Sequence, residues 1–520
     1  MIRMNNIRNS RTYNTIMNSI IGIISSIITI LLNFIVRVTI VQVLGDETNG
    51  IHNLFQSITN AISLIEAGFS TAMVIRLYKP IKEKDHNETK AILSFYKKIY
   101  TRIALVFTII CVIVNIFGIQ YLVESSIPIN KVRIYFAIYS LITPLDYLTY
   151  HKTSILYAEQ KNRIRVAVAT ASELVFRTLQ IVSVIVLKQY YIFLVLQIME
   201  KIICNAICAK YVNKRHEYIK DDNTVSVSSE LKSSIFKTVK PIFINNISSN
   251  IQTSAKSILI SILLGNVSNV GYYGNYQLVI SCAQLLFSQF GASLTSSFGN
   301  LAVEGNKQHM YKIYRKTSFI LNSLAIVICA GFICCIQTFI LIFFGKRFLL
   351  NFSNVIILTI GLFIELLKVP IISVQNAMGL HDKDQIMMIV QTIMAVILGF
   401  VFGLKFGMNG ILLGLLLPQF MFTLINKGIV INKAAFESSP IDFIRFFFLD
   451  IMKGIISVSS CYCVCLFINT GNLIIDLISK GIISIIISFL WLFILSFRSQ
   501  YFKDVVTMIY NVYNNKKRRR

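Results

Sequence analysis

Apolar runs recur along the whole chain, and each is about as long as a membrane's hydrocarbon core is thick. A helix rises about 1.5 Å per residue, so about 20 apolar residues cross about 30 Å of hydrocarbon. The pattern therefore predicts an all-α polytopic membrane protein with about fourteen spans. These lie near 16–44, 51–75, 103–123, 134–156, 166–187, 191–213, 241–264, 272–300, 317–344, 354–378, 386–404, 410–432, 446–468 and 476–497.

The polar connections between these spans differ strongly in their content of Lys and Arg. Alternate connections, beginning with residues 1–15, hold 37 of these residues, and the seven others hold 6. Cytoplasmic connections of membrane proteins collect Lys and Arg. The asymmetry predicts that both termini lie in the cytoplasm, which requires an even number of spans.

The chain also repeats itself with an offset of about 220 residues. A Leu-Gly pair ending at Gly45 precedes Gly50, and a Leu-Gly pair ending at Gly265 precedes Gly271. Six spans separate the copies, and because six is even, both copies enter the membrane from the same side. The sequence thus predicts two parallel six-helix lobes related by an axis along the membrane normal.

The predicted domains follow from this repeat. They are an N-lobe over 1–213, a cytoplasmic linker over 214–240, a C-lobe over 241–432, two further spans within 433–497, and a basic cytoplasmic tail over 498–520. Apolar residues recur at helical spacing early in the tail. This spacing fits a helix on the inner leaflet, and a disordered solubilising tail is the alternative.

Composition narrows the class of protein. The chain has 520 residues, of which 55% are hydrophobic and 14% charged, with a net charge of +26. We expect no nucleic-acid binding, because basic and aromatic residues interleave on no soluble segment. We also expect no enzyme, cofactor or metal. The outer connections are short, His and Cys residues lack metal-ligand spacing, and no G-x-x-x-x-G-K-[S/T] loop is present.

Two cations lie at matching places inside the repeated units. Arg37 precedes Gly45 by eight residues, and Lys256 precedes Gly265 by nine. A charge at the bilayer centre costs about 2.5–3.5 kcal/mol on insertion scales. Neither cation has an acidic residue within four positions, so we predict that both face a wet cavity between the lobes. An ion pair with an acid on another span, such as Glu66, is the alternative.

Arg177 and Lys368 are weaker candidates for the same cationic site. Glu173 lies four residues before Arg177, and Glu365 three before Lys368, so local neutralising pairs would also explain these cations.

Two acids inside spans are candidates for ion coupling. Glu66 and Asp146 could each couple movement to a proton or sodium gradient, and Glu66 could instead neutralise Arg37.

The residues around the first repeat resemble a known family. The stretches Leu44-Gly45-Asp46-Glu47-Thr48-Asn49-Gly50-Ile51, Ser63 to Ala72, Arg76 to Pro80 and Ala91 to Tyr100 are similar to Wzx-type O-antigen and capsule flippases. These belong to the multidrug/oligosaccharidyl-lipid/polysaccharide (MOP) exporter superfamily. The resemblance implies two lobes around a cation-lined cavity. Arg37 and Lys256 are the closest matches by location to that family's cations.

The resemblance also implies a function and partners. The substrate would be an oligosaccharide repeat unit on undecaprenyl diphosphate, moved by alternating access from the cytoplasmic to the outer leaflet of a bacterial cytoplasmic membrane. Membrane lipid, a proton or sodium counter-ion and a polysaccharide polymerase would be the partners. A drug or cation antiporter of the same superfamily and a lipid II flippase are the alternatives. Cations in the cavity favour a diphosphate over an organic cation.

Overall fold

The computed structural model describes residues 11–63, 69–159, 161–219 and 229–507. Within these ranges every regular element is a helix. Contacts between helices divide the chain into two units, residues 1–274 and 275–520. The first unit therefore includes the helix that follows the predicted linker. The lobe boundaries at 213 and 241 stay predictions.

Over the described residues, the first unit contains nine α-helices longer than ten residues and the beginning of a tenth; a π-helical turn, Val114–Gly118, and a short helix, Ile119–Leu122, follow the fourth of them. The ten long helices are α1 Arg11–Leu44, α2 Asp46–Ile62, α3 Phe69–Glu83, α4 His86–Ile113, α5 Ile129–Ser140, α6 Ile142–Ala158, α7 Asn162–Leu187, α8 Tyr190–Arg215, α9 Ser229–Leu264 and α10 Ser268–Glu304. Helix α1 packs along α7, α8 packs between α7 and α6, and α9 packs against α2 and α3.

The second unit is built around one long helix, α11. Helices α12, α16 and α17 pack against it, and α14 packs against α12. The helices are α11 Lys307–Phe343, α12 Phe352–Leu367, α13 Val369–Met378, α14 Gln385–Pro418, α15 Lys427–Phe436, α16 Pro440–Cys465 and α17 Leu473–Ser496. A helical segment over 500–507 follows, and the basic end of the predicted tail lies outside the described residues.

Each predicted span is mainly helical over its described residues. Nine helical stretches in the described ranges are long and apolar enough to cross a membrane. One of them, Gln385–Phe436, contains two predicted spans and has non-helical backbone at Gly407 (φ 58°, ψ −137°). The all-helical membrane class is confirmed, and the count of fourteen stays a prediction.

Two helix breaks mark the second unit. Helix α12 ends at Leu367, and α13 begins two residues later with Pro370 in its first turn. Pro418 is followed by a π-helical segment, Gln419–Asn426. π-Helical turns are frequent at functional sites. Both prolines lie within apolar runs, and each stands at an interruption of its helix.

A charged cluster closes the connection between α6 and α7. The Glu159 carboxylate lies 3.2 Å from Lys161 Nζ, 3.4 Å from Arg215 Nε and 3.5 Å from His216 Nε2. Burial by itself raises the pKa of Glu159, but the close approach of His216 and the charges of Lys161 and Arg215 outweigh burial. They lower this pKa to about 2.

Candidate functional site

The two copies of the repeated glycine segment pack against each other inside the first unit. Gly45 (φ 89°) and Gly265 (φ 59°) both adopt left-handed backbone just before α2 and α10. A Cβ on Gly50 would lie 2.1 Å from the Val267 carbonyl oxygen, and the Asn49 side-chain amide donates to the Gly271 carbonyl at 3.3 Å. The repeat is therefore also a contact between helices, and it requires glycine where the backbones meet.

Arg37 joins three helices beside this contact. Its guanidinium donates to the Gly274 carbonyl at 2.5 Å and to Asn53 Oδ1 at 2.6 Å. The Asn53 amide in turn donates to the Asn49 carbonyl at 2.8 Å. All of these acceptors are neutral, and no carboxylate in the described ranges forms an ion pair with Arg37. Among the residues that the structure describes, its positive charge is held in place by neutral oxygens and no acid compensates it.

Lys256 lies half-buried in α9, the helix that packs against α2. It interacts with other residues of the chain. Arg37 and Lys256 fall in the same contact unit. Their predicted meeting across a cavity between lobes stays a prediction.

Arg177 does not form the local pair that its spacing predicted. Its guanidinium donates to Gln180 Oε1 at 3.0 Å, whereas Glu173 accepts a hydrogen bond from Thr29 at 2.5 Å. The local ion pair that would also have explained Arg177 does not form between these two residues; α1 packs along α7, and its Thr29 hydroxyl donates to Glu173 instead. Arg177 and Arg37 both interact electrostatically with His52, so both act on the same part of this unit.

The two acids proposed for ion coupling differ in what the structure describes. Asp146 lies 3.5 Å from Lys201 Nζ and accepts a hydrogen bond from Asn205 at 3.1 Å. It is therefore already partnered by a cation on α8. Glu66 lies outside the described residues.

In the second unit, Lys368 forms the local pair that its spacing predicted. Its ammonium lies 2.5 Å from Glu365 Oε2, and the Gln419 amide donates to the other oxygen of this carboxylate. Both members of the pair remain about a quarter exposed. The pair lies where the break between α12 and α13 meets the start of the π-helical segment.

Sequence reasoning missed a second buried pair in this unit. Lys427 Nζ lies 2.8 Å from Asp384 Oδ2, with exposed side-chain fractions of 8% and 1%, and Gln375 bonds to both partners. Lys427 stands near the end of the predicted span 410–432, where a cation needs no buried partner. A separation of 43 positions gives no local signal of such a pair.

A third pair also escaped prediction. Asp450 is buried, accepts from Asn322 at 2.8 Å and lies 3.3 Å from Lys453 Nζ. Lys453 lies near the end of the predicted span 446–468, where a lysine can extend to the membrane surface. Helix α16 instead packs on α11, which brings the Asn322 amide to Asp450 and retains Lys453 beside it.

Long apolar helices and an internal repeat together define a polytopic all-helical membrane protein. Solved structures show a similar fold. The lipid II flippase MurJ in an inward closed conformation is 17% identical, with a TM-score of 0.68 over 94% of this chain and all of that chain. A multidrug resistance MATE family transporter of the MOP superfamily, inward-facing, is 14% identical, with a TM-score of 0.61 over 76% of this chain and 92% of that chain.

The outward-facing conformation of a MATE transporter of the same superfamily is also similar. It is 14% identical, with a TM-score of 0.55 over 85% of this chain and 97% of that chain. At these identities the likeness shows the fold alone. Residues 16–298 match the family described as "Polysaccharide biosynthesis protein". The chain belongs to that family. No curated protein matches the chain.

Proposed function

We propose that the protein is a flippase for oligosaccharide repeat units linked to undecaprenyl diphosphate. It would carry them from the cytoplasmic to the outer leaflet of a bacterial cytoplasmic membrane by alternating access, with both termini in the cytoplasm. Membership of the polysaccharide biosynthesis family supports the glycan, and the MOP fold supports transport rather than an enzymatic reaction. A polysaccharide polymerase on the outer side would receive the product.

The observation that carries this proposal is the environment of Arg37. A guanidinium bonded to a carbonyl and an amide oxygen keeps its full charge, and it can exchange neutral acceptors for phosphate oxygens in a bidentate geometry. An organic cation would be repelled by the same group. This argues against the drug or cation antiporter as the alternative.

The other cations take secondary roles in the proposal. Lys256 would bind the diphosphate from α9, and Arg177 would approach it from α7. Lys368 is compensated by Glu365, so it can bind an anion only after leaving that carboxylate. We therefore place Lys368 last in the sequence of contacts.

Lipid II flipping is the second candidate, because the fold of MurJ matches 94% of this chain. Both candidate substrates would present a diphosphate to the same cations. The two functions differ only in the glycan that follows the diphosphate, so the test must vary the glycan.

The test is transport by the purified protein in proteoliposomes. Leaflet crossing of a polyprenyl-diphosphate-linked oligosaccharide is followed beside that of lipid II, with and without proton or sodium gradients. We expect Arg37→Ala and Lys256→Ala to abolish transport, and the exposed-cation variants Arg102→Ala and Lys312→Ala to retain it. Full transport by both Arg37→Ala and Lys256→Ala would refute the site. Transport of lipid II alone would favour the second candidate.

A further inference from the structure

Glu200 is a buried acid that the proposed site does not use. It lies in α8 with 4% of its surface exposed, and its Oε2 atom is buried without a hydrogen-bond partner. Over the ranges that the structure describes, this side chain forms no hydrogen bond and no ion pair. Burying a carboxylate in this way is very unfavourable, whereas burying the neutral acid costs far less.

The hairpin of α7 and α8 places Glu200 at the same depth as Arg177. Only Lys188 and Gln189 connect the two helices. Arg177 lies ten residues before Leu187, and Glu200 ten residues after Tyr190. At about 1.5 Å per residue, both lie about 15 Å from the connection, which is halfway across about 30 Å of hydrocarbon. Of the charged groups, Arg177 acts most strongly on Glu200.

The charges around Glu200 come from all the helices packed beside it. Helix α7 contributes Arg177 and Glu173, its own helix contributes Lys201, and α6 contributes Asp146. The charged residues of α5, Lys131 and Arg133, stand in its first turns. Two cations and two acids thus surround Glu200, so its neighbours provide no net positive charge to stabilise a carboxylate.

The nearby groups are moreover engaged with other partners. Lys201 lies 3.5 Å from Asp146, Glu173 accepts from Thr29, and Arg177 donates to Gln180. Arg177 can leave a neutral amide such as Gln180 more easily than a carboxylate. If Glu200 were ionised, its carboxylate would be a stronger acceptor for Arg177 than the Gln180 amide is.

We propose that Glu200 binds a proton at mid-membrane, and that this proton keeps Arg177 available to an anion. Loss of the proton creates a carboxylate that competes with the substrate diphosphate for Arg177, so proton and diphosphate bind together. The competition between Glu200 and the diphosphate for Arg177 rests on the proposed function. The ion is a proton rather than a metal cation, because no three His, Cys, Asp or Glu side chains in the described ranges converge to hold one.

Infrared difference spectroscopy of the protein in lipid nanodiscs tests the bound proton directly. A protonated carboxylic acid has a carbonyl stretching band that a carboxylate lacks. We expect wild type to show this band at pH 7 and Glu200→Gln to lose it. Glu173→Gln is the matched control on the neighbouring helix and should keep the band. If Glu200→Gln does not fold, Glu200→Asp should keep a band at a shifted frequency.

A band that Glu200→Gln leaves unchanged would overturn the proposal, as would a Glu200→Asp band identical to that of wild type. This readout needs no substrate and no transport. It therefore stands whether or not the protein flips a lipid-linked glycan.

Farnesyl diphosphate, as a lipid diphosphate probe, tests the link to Arg177. Wild type in nanodiscs should take up a proton on binding the probe, and Glu200→Gln should not, because linkage is reciprocal. At pH 8.5 we expect Glu200→Gln to bind about tenfold more tightly than wild type, as for one hydrogen bond to a charged group. The affinities of wild type and Glu200→Gln for the probe should converge as the pH falls. The probe titrates identically in both measurements, so its own titration cancels when the two are compared.

The outcomes separate the two proposals. If wild type does not bind the probe at any pH, the proposed function fails while the infrared result still decides the protonation of Glu200. If wild type binds the probe with the same affinity as Glu200→Gln at every pH, the link to Arg177 is wrong and the proposed function survives.

Discussion

Gly50→Ala tests whether the repeated segments must meet backbone to backbone. The added Cβ would lie 2.1 Å from the carbonyl oxygen and 2.7 Å from the carbonyl carbon of Val267. Ordinary van der Waals contact begins near 3.4 Å, so α2 and the start of α10 would have to separate by more than an ångström. A side chain could rotate away from such a clash, but a peptide group can move only with its helix.

The expected magnitude follows from two opposing terms. Overpacking a close contact costs about 1–3 kcal/mol, and this contact belongs at the upper end because both partners are backbone. Alanine returns up to about 1 kcal/mol through its better helix propensity. The net loss is about 2 kcal/mol, which lowers Tm by about 4–8 °C for a folding unit of roughly this size.

The assay is thermal unfolding of purified protein in one detergent, with Gly22→Ala as the matched control. A Cβ on Gly22, in α1, meets nothing within 4 Å. That variant gains helix propensity without a clash, so its Tm should be unchanged or raised. Equal Tm values for Gly50→Ala and Gly22→Ala would refute the close approach of the two segments.

Three further predictions concern polar groups. Asn53→Ala removes an acceptor from Arg37 and should lower transport about tenfold, the value of one hydrogen bond to a charged group. Exposed Gln56→Ala on the same helix is its control, and equal rates would contradict the role of Asn53. Asp384→Asn leaves Lys427 buried without its carboxylate and should lower the free energy of unfolding by about 3–5 kcal/mol. The double variant Asp384→Asn/Lys427→Met should recover most of this loss. A double variant no more stable than the single one would contradict the pairing. Glu159→Gln should lower Tm at pH 7. Because the folded pKa of Glu159 is depressed to about 2, its contribution is present above about pH 4.5 and is lost as the pH falls towards 2. A difference in Tm that is the same at pH 7 and pH 2.5 would contradict this assignment.

The pairing of buried charges was only partly predictable from spacing. Glu365 and Lys368 are three residues apart on one face and form the expected pair. Glu173 and Arg177 are four residues apart and form no ion pair, because the Thr29 hydroxyl of α1 donates to Glu173 instead. Local spacing shows which side chains can meet, but it does not include the competing partners that tertiary packing brings from other helices.

Glu200 could have been found from the sequence by a simple count. Arg177 and Glu200 are equidistant from the two-residue connection at 188–189, and antiparallel helices joined by so short a turn place such residues at one depth. Without the packing of α6 and α7, however, nothing indicates that Glu200 is buried without a hydrogen bond. The same holds for Asp384 and Lys427, which tertiary contacts bring together over 43 positions.

The sequence alone determined the helical membrane class, the apolar segments that form helices and the internal repeat. These depend on the length and polarity of consecutive residues, because the bilayer requires every spanning backbone to satisfy its own hydrogen bonds. Only the tertiary structure decided that the repeated glycines touch, that Arg37 is held by neutral oxygens and that Glu200 has no hydrogen-bond partner in the described part of the chain. Those facts depend on which helix faces are in contact, and an apolar helix carries little information about its neighbours, since lipid and protein are equally apolar surroundings.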